Sequence, residues 1–341
     1  MANTKLKSAL FFSYPSGDGE VYTKAAHDRI TSMTNLYPSV INAKNFDNHM
    51  IHLKDIEVIF ATWGMICFEK KHFAAMPKLK AVFYAAGNVR AFAQPLIDNN
   101  IILTSAWQAN AIPAAEMCLS QILLSLRGYF RSVRQYSEIQ TSAAKTFPRS
   151  GINGEVIGIL GMGKIGSCLC HLLKDYPLKI IAFDPFLTEQ RTAELGIKKV
   201  TLEKVFKLSA VVCNHIPDLP NTQGILTGSL FRSMRDSSTF INTGRGAQVE
   251  AAELAGVLTA RTDITALLDV TDPEPPTQNS ELWKLSNVIL SPHIGGTIGD
   301  EVTRLSDSAI SEFELWLSCR NRTRSPCRNP LIGSRPPRIF Y

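Results

Sequence analysis

Three short segments of this sequence hold the residue types that carboxylate recognition and proton exchange require: Thr243-Gly244-Arg245-Gly246, Asp269-Val270 leading to Glu274-Pro275, and Ser291-Pro292-His293-Ile294-Gly295-Gly296. A guanidinium offers paired donors to a carboxylate, and an imidazole exchanges a proton near neutral pH. Taken singly, each residue has a bland reading: Arg245 as a surface ion pair, Glu274 as a solvated loop acid, His293 as a satisfied buried histidine. Each segment, however, follows an apolar run (239–241, 266–268 and 288–290). Residues just past the carboxyl ends of parallel strands converge on one crevice, so the three can meet.

Upstream, Gly161-Met162-Gly163-Lys164-Ile165-Gly166 follows the apolar run 156–160 and opens a helical pattern. In that context the glycines serve a dinucleotide: Gly161 for a tight turn, Gly163 for close approach of the pyrophosphate, Gly166 for helix-to-strand packing. Lys164 and Ile165 stand at the helix start that faces the anion. The next run ends at Phe183-Asp184, twenty-one residues after Gly163. An acid there accepts from both ribose hydroxyls and repels a 2′-phosphate, which favours NAD over NADP. Asp184 also suits a cap on the turn before Pro185, and the two roles are compatible.

The elements that must position these residues are legible as periodicity. A length of 341 residues predicts two domains with separate cores. The first hundred residues alternate apolar runs (9–13, 58–62, 81–85, 101–104) with helix-compatible segments, and 113–127 reads as one long helix with Pro113 in its first turn. Six further runs (156–160, 180–183, 210–213, 239–241, 266–268, 288–290) predict a doubly wound, mostly parallel sheet. A final helix is expected over 300–317. The fold class is therefore α/β with two domains. A nucleotide-binding Rossmann domain (113–304) is inserted in a flavodoxin-like substrate domain (1–112, completed by 305–318), and 319–341 forms a basic, unstructured tail.

These segments, in this order and spacing from about residue 56 to about residue 317, resemble the D-isomer-specific 2-hydroxyacid dehydrogenase family. Asn110 to Glu116 resembles that family's entry into its interdomain helix, and Asn214-His215-Ile216-Pro217 with Thr222 its loop beside the cofactor. The resemblance implies NAD as cofactor and a small 2-oxo acid or its D-2-hydroxy acid as substrate. It implies that Arg245 holds the substrate carboxylate and carbonyl, that His293 exchanges the proton and that Glu274 orients and charges the histidine. It further implies that His215, Pro217, Thr222, Thr243, Gly244, Asp269, Gly295 and Gly296 line the cofactor, Asp269 at its nicotinamide end. In the first domain Ala86-Gly87 resembles the substrate-carboxylate loop and Trp63-Gly64 its facing wall, with the active site in the cleft between domains. Here the chain departs from the commoner pattern, with Asn88, Val89 and Arg90 after the glycine. The resemblance also implies a homodimer. A rival from another class keeps the same fold as a nicotinamide-sensing corepressor, without turnover.

Composition excludes several other classes. The excess of 36 basic over 30 acidic residues is accounted for by six arginines within 319–341 (320, 322, 324, 328, 335, 338), so the body is balanced and does not read as a nucleic-acid binder. Seven cysteines without a CxxC pair indicate neither a disulfide framework nor zinc, and no metal is assigned; His49 and His52 have metal-ligand spacing without partners. No uninterrupted apolar stretch reaches membrane-spanning length, and the first apolar run is too short for a signal peptide, so a cytoplasmic, membrane-free protein is expected.

Overall fold

The computed structural model describes residues 5–13, 20–140 and 151–321, and divides into two compact units. The first comprises residues up to Asn110 and those from Thr297 onward; the second is Ala111–Gly296.

The first unit is built on five parallel strands, β1 (Leu6–Phe11), β2 (Thr34–Leu36), β3 (Val58–Ala61), β4 (Ala81–Tyr84) and β5 (Ile102–Ser105), in the order β2-β1-β3-β4-β5. That is the flavodoxin-like order. β3 and β4 are buried along their whole length, which explains why they read as unbroken apolar runs rather than alternating ones. β2 carries no such signal: its one buried residue is Thr34, whose hydroxyl meets that of Ser8 at 2.7 Å. The C-terminal helix Thr303–Asn321 closes one face of this sheet, where Phe313 is fully buried with its ring 5.1 Å from Phe60 and 5.4 Å from Phe83. The chain returns to this unit at Thr297, earlier than the 305 expected, because Val302 and Leu305 join the same core. Residues 319–321, expected to begin an unstructured tail, continue the helix; the rest of that tail, 322–341, lies outside the described residues.

The second unit holds seven parallel strands: β6 (Val156–Leu160), β7 (Lys179–Phe183), β8 (Lys198–Lys199), β9 (Val211–Asn214), β10 (Thr239–Asn242), β11 (Thr265–Leu268) and β12 (Val288–Leu290). Their order is β12-β11-β10-β9-β6-β7-β8. The order reverses between β6 and β9, the switch point at which open α/β sheets bind ligands. All six expected strands are present; β8 is added as an exposed two-lysine edge that no apolar pattern marks.

The helix Trp107–Leu126 joins the units and starts six residues before Pro113. The preceding turn forms because Asn110 N–H still reaches Ala106 O at 3.1 Å, and proline forfeits only its own backbone donor. By length and composition this helix could cross a membrane, but Ala115, Cys118, Ile122 and Leu126 pack at helical spacing into the core of the second unit's sheet.

Truncating Phe313 tests whether the C-terminal helix completes the first unit. Phe313→Ala is expected to cost about 3–5 kcal/mol of that unit's stability, read as a lower urea midpoint; an unchanged midpoint contradicts the packing described.

Candidate active site

The glycine-rich turn after β6 is shaped by contacts that leave no room for side chains. Gly161 has φ +84°, and a Cβ on it would lie 2.6 Å from His215 O. A Cβ on Gly166 would lie 2.3 Å from Gly161 O, so the helix Lys164–Leu172 seats directly on the turn. A Cβ on Gly163 would meet nothing within 4 Å. The open side of the turn thus faces the helix N-terminus, where backbone N–H groups favour a phosphate. Asp184, at the end of β7, receives Met162 N–H on Oδ2 and Phe186 N–H on Oδ1, both at 2.8 Å. It ties the glycine turn to its own turn, and each carboxylate oxygen keeps a second lone pair for a ribose hydroxyl.

His215, past β9, lies within 3.5 Å of Thr243 Oγ1 through Nδ1, while its Nε2 is shielded from solvent and has no partner. An orphaned buried ring nitrogen, on a residue whose backbone abuts Gly161, fits a loop that takes a polar ligand such as a dinucleotide. Thr243 Oγ1 also meets Cys118 Sγ at 3.1 Å, and burial pushes that thiol up to about 12. Thr222 acts within its own loop: its hydroxyl meets Pro217 O at 2.6 Å and accepts Leu219 N–H at 2.9 Å, closing the turn that carries Pro217.

The three chemical segments leave adjacent strands at one level, because Asn242, Leu268 and Leu290 are register partners across β10, β11 and β12. Gly246 allows the Arg245 turn to press on the Glu274 segment: a Cβ there would lie 1.9 Å from Thr271 C. Asp269 is buried, and its carboxylate is filled by the following loop. Oδ1 accepts Ser291 Oγ–H at 2.6 Å and Ile294 N–H at 2.9 Å, and Oδ2 accepts Gly295 N–H at 2.8 Å. Gly295 is required at that contact, since a Cβ would fall 2.8 Å from Oδ2. Gly296 ends the unit just beyond.

Held this way, His293 adopts the left-handed φ of +55°, with its N–H 3.1 Å from Asp269 O. Its Nδ1 meets Glu274 Oε1 at 2.6 Å, with both side chains more than two-fifths exposed. A carboxylate only accepts, so Nδ1 carries the proton and Nε2 is the atom left to exchange one. Arg245 folds back on its own backbone, Nη1 donating to Gly244 O at 2.6 Å.

In the first unit, Trp63-Gly64 and Ala86-Gly87 follow β3 and β4. Gly64 has φ +75°, with Ser13 N–H bonded to Trp63 O at 2.9 Å. Ala86 is buried, Gly87 O accepts Ser105 Oγ–H at 3.1 Å, and Asn88 Oδ1 caps Arg90 N–H at 2.9 Å. His49 bonds the Tyr37 hydroxyl at 2.9 Å, and no metal-capable cluster of three occurs among the described residues.

Sequence reasoning quoted Ser291 and Asn214 within their segments without giving either a role of its own, and gave none to Asn242 or Gln248; the three buried amides underlie the Arg245 turn. The available signal was an amide closing a fully buried, largely apolar strand, as Asn214 closes β9 and Asn242 closes β10.

Burial also pushes the His215 imidazole down to about 4. An unfolded histidine takes up its proton near 6.5, so between those values the unfolded chain binds more protons and stability falls as pH drops through the window. His215→Asn is expected to make unfolding less sensitive to acid between about pH 6.5 and 4. Urea midpoints across that range check it, and an unchanged acid slope contradicts a buried neutral ring.

Known proteins resemble this chain in sequence and in fold. The family model described as D-isomer specific 2-hydroxyacid dehydrogenase, NAD binding domain, matches residues 119–295. A D-3-phosphoglycerate dehydrogenase of Archaeoglobus fulgidus is 29% identical over 233 residues, 67% of this chain and 44% of that enzyme. The match thus spans less than half the length of that relative. Among solved structures, D-mandelate dehydrogenase of Rhodotorula graminis aligns at a TM-score of 0.75 and 18% identity, covering 91% of this chain and 94% of that one. An NAD-dependent formate dehydrogenase of Staphylococcus aureus, solved with NAD, aligns at 0.67 and 19%, covering 92% and 95%. At these identities the structures speak to the fold alone, while the family match covers more than half of the sequence and falls on the glycine turn and all three chemical segments. The chain belongs to the D-isomer-specific 2-hydroxyacid dehydrogenase family and carries its NAD-binding domain.

Proposed function

We propose that this protein interconverts a small 2-oxo acid and its D-2-hydroxy acid with NAD(H). The observation that carries the reading is the 2.6 Å contact between His293 Nδ1 and Glu274 Oε1, one strand away from Arg245 and in the same unit as the glycine turn. When bound, the nicotinamide supplies the hydride chemistry.

The side chains supply the rest. Arg245 swings from Gly244 O to pair with the substrate carboxylate and polarise the carbonyl. In reduction, His293 Nε2 gives its proton to the carbonyl oxygen as the C–H bond forms, so that no free alkoxide accumulates. Glu274 keeps Nδ1 protonated and offsets the positive ring. In oxidation the neutral ring takes the hydroxyl proton, so reduction calls for the protonated histidine and oxidation for the neutral one. Asp184 disfavours a 2′-phosphate by charge. The loop past β9 and the Thr243-Gly244 and Gly295-Gly296 turns border the cofactor, and Asp269 supports it by shaping the loop that carries His293.

Oxidation of NADH, followed by absorbance, with a panel of 2-oxo acids and NADPH in parallel, tests this reading. Turnover with NADH should fall roughly 10²- to 10⁴-fold in His293→Gln while NADH still binds. Undiminished turnover in the variant contradicts the role of His293. Tight NADH binding with no turnover by the wild type across the panel would instead favour the sensing role.

A further inference from the structure

Beneath the Arg245 turn lies a set of side-chain amides that the chemistry above does not use. Asn214, Asn242 and Gln248 are each at most 1% exposed. Asn214 Nδ2 donates to Asn242 Oδ1 at 3.0 Å and approaches Gln248 Oε1 at 3.4 Å, while Asn214 Oδ1 accepts Ile216 N–H at 3.1 Å. Asn242 Oδ1 also accepts Gly244 N–H, and its Nδ2 donates to Arg245 O, both at 3.1 Å. Gln248 Oε1 accepts Arg245 N–H, again at 3.1 Å. The backbone of Arg245 is therefore gripped at both its N–H and its C=O by buried amides, and through Asn214 the same set holds the backbone after His215.

Buried amides cost free energy unless their donors and acceptors are matched, and a matched set admits only one arrangement of the backbone it grips. The arrangement is directional. The Arg245 N–H and the Asn214 Nδ2 both require an oxygen from Gln248, which turns Gln248 Nε2 away into a buried position without a partner. An unpaired buried donor weakens the fold, so stability alone does not account for glutamine here. Arg245 stands between Gly244 and Gly246, two residues with little conformational stiffness of their own, and a long side chain aimed at a carboxylate needs a fixed base.

We infer that Asn242 and Gln248, braced by Asn214, are positioning residues for the reaction, fixing the backbone of Arg245 so that its guanidinium meets the substrate carboxylate. The inference rests on the role of Arg245 given above. It concerns substrate engagement, so the constant for the 2-oxo acid should move while that for the dinucleotide does not.

The test compares Gln248→Met, which keeps the volume and removes the acceptor, with Asn242→Asp, which keeps the acceptor and removes the donor to Arg245 O. Arg245→Gln is the reference. For each, KM for the best 2-oxo acid, inhibition by oxamate as a carboxylate analogue, NADH affinity by fluorescence and the urea midpoint are measured. Each amide variant should raise KM and the oxamate inhibition constant in parallel by roughly tenfold, with NADH affinity held within about twofold. Two variants of opposite chemistry keep the test intact if one fails to fold. Unchanged KM and oxamate inhibition in the folded variants overturn the inference, as does a loss of NADH affinity equal to the loss for the 2-oxo acid. If the amide variants are unaffected while Arg245→Gln is impaired, the inference alone fails; if Arg245→Gln itself is unaffected, the assignment of Arg245 fails with it.

Discussion

A carboxylate taken out of water must be given donors, and the way Asp269 obtains them decides the shape of the site. No cation pairs with its oxygens in the hydrogen bonds of the described residues. They take a hydroxyl and two backbone N–H groups from residues 291–295 instead. The loop must wrap the carboxylate to satisfy it, and His293 at its centre is held with left-handed φ of +55°. From there its ring reaches Glu274. The pair thus follows from a buried charge one strand away rather than from any preference of histidine for that conformation, which costs a non-glycine residue energy.

The same logic runs across the carboxyl ends of β9 to β12. Buried polar groups gather at the strand ends and in the turn after β10, where they make contacts that a neighbouring loop needs: Asn214 and Asn242 for the turns after their own strands, Gln248 for the Arg245 backbone, Asp269 for the loop after β12. The groups proposed to exchange protons or bind anions, Arg245, Glu274 and His293, stand above this layer with at least part of each side chain in water. Rigid polar support below and accessible reactive atoms above is the arrangement that precise positioning demands.

Much of this was legible beforehand, for identifiable reasons. Strands buried on both faces leave unbroken apolar runs, and six of the second unit's seven could be read; β8, made of two exposed lysines, could not. The glycine turn was readable because close backbone approach excludes every other residue, and Gly161 and Gly166 show that crowding. Arg245, Glu274 and His293 could be selected by type and by place after a strand. The work of Asp269 could not, because its partners are largely backbone N–H groups, and a sequence does not show where those point. The expectation for Thr222 rested on its position beside the cofactor loop, and the sequence did not show that its hydroxyl closes that loop. Nor did the helix begin at Pro113, since the segment before it already makes a helical turn.

The central claim is that His293 and Glu274 act as one proton-transferring unit, and a double-mutant cycle on kcat/KM for 2-oxo acid reduction tests it most directly. If Glu274 works through His293, then Glu274→Gln should add little to His293→Gln, and the double variant should match His293→Gln within about twofold. Losses that multiply as for independent residues would contradict the account.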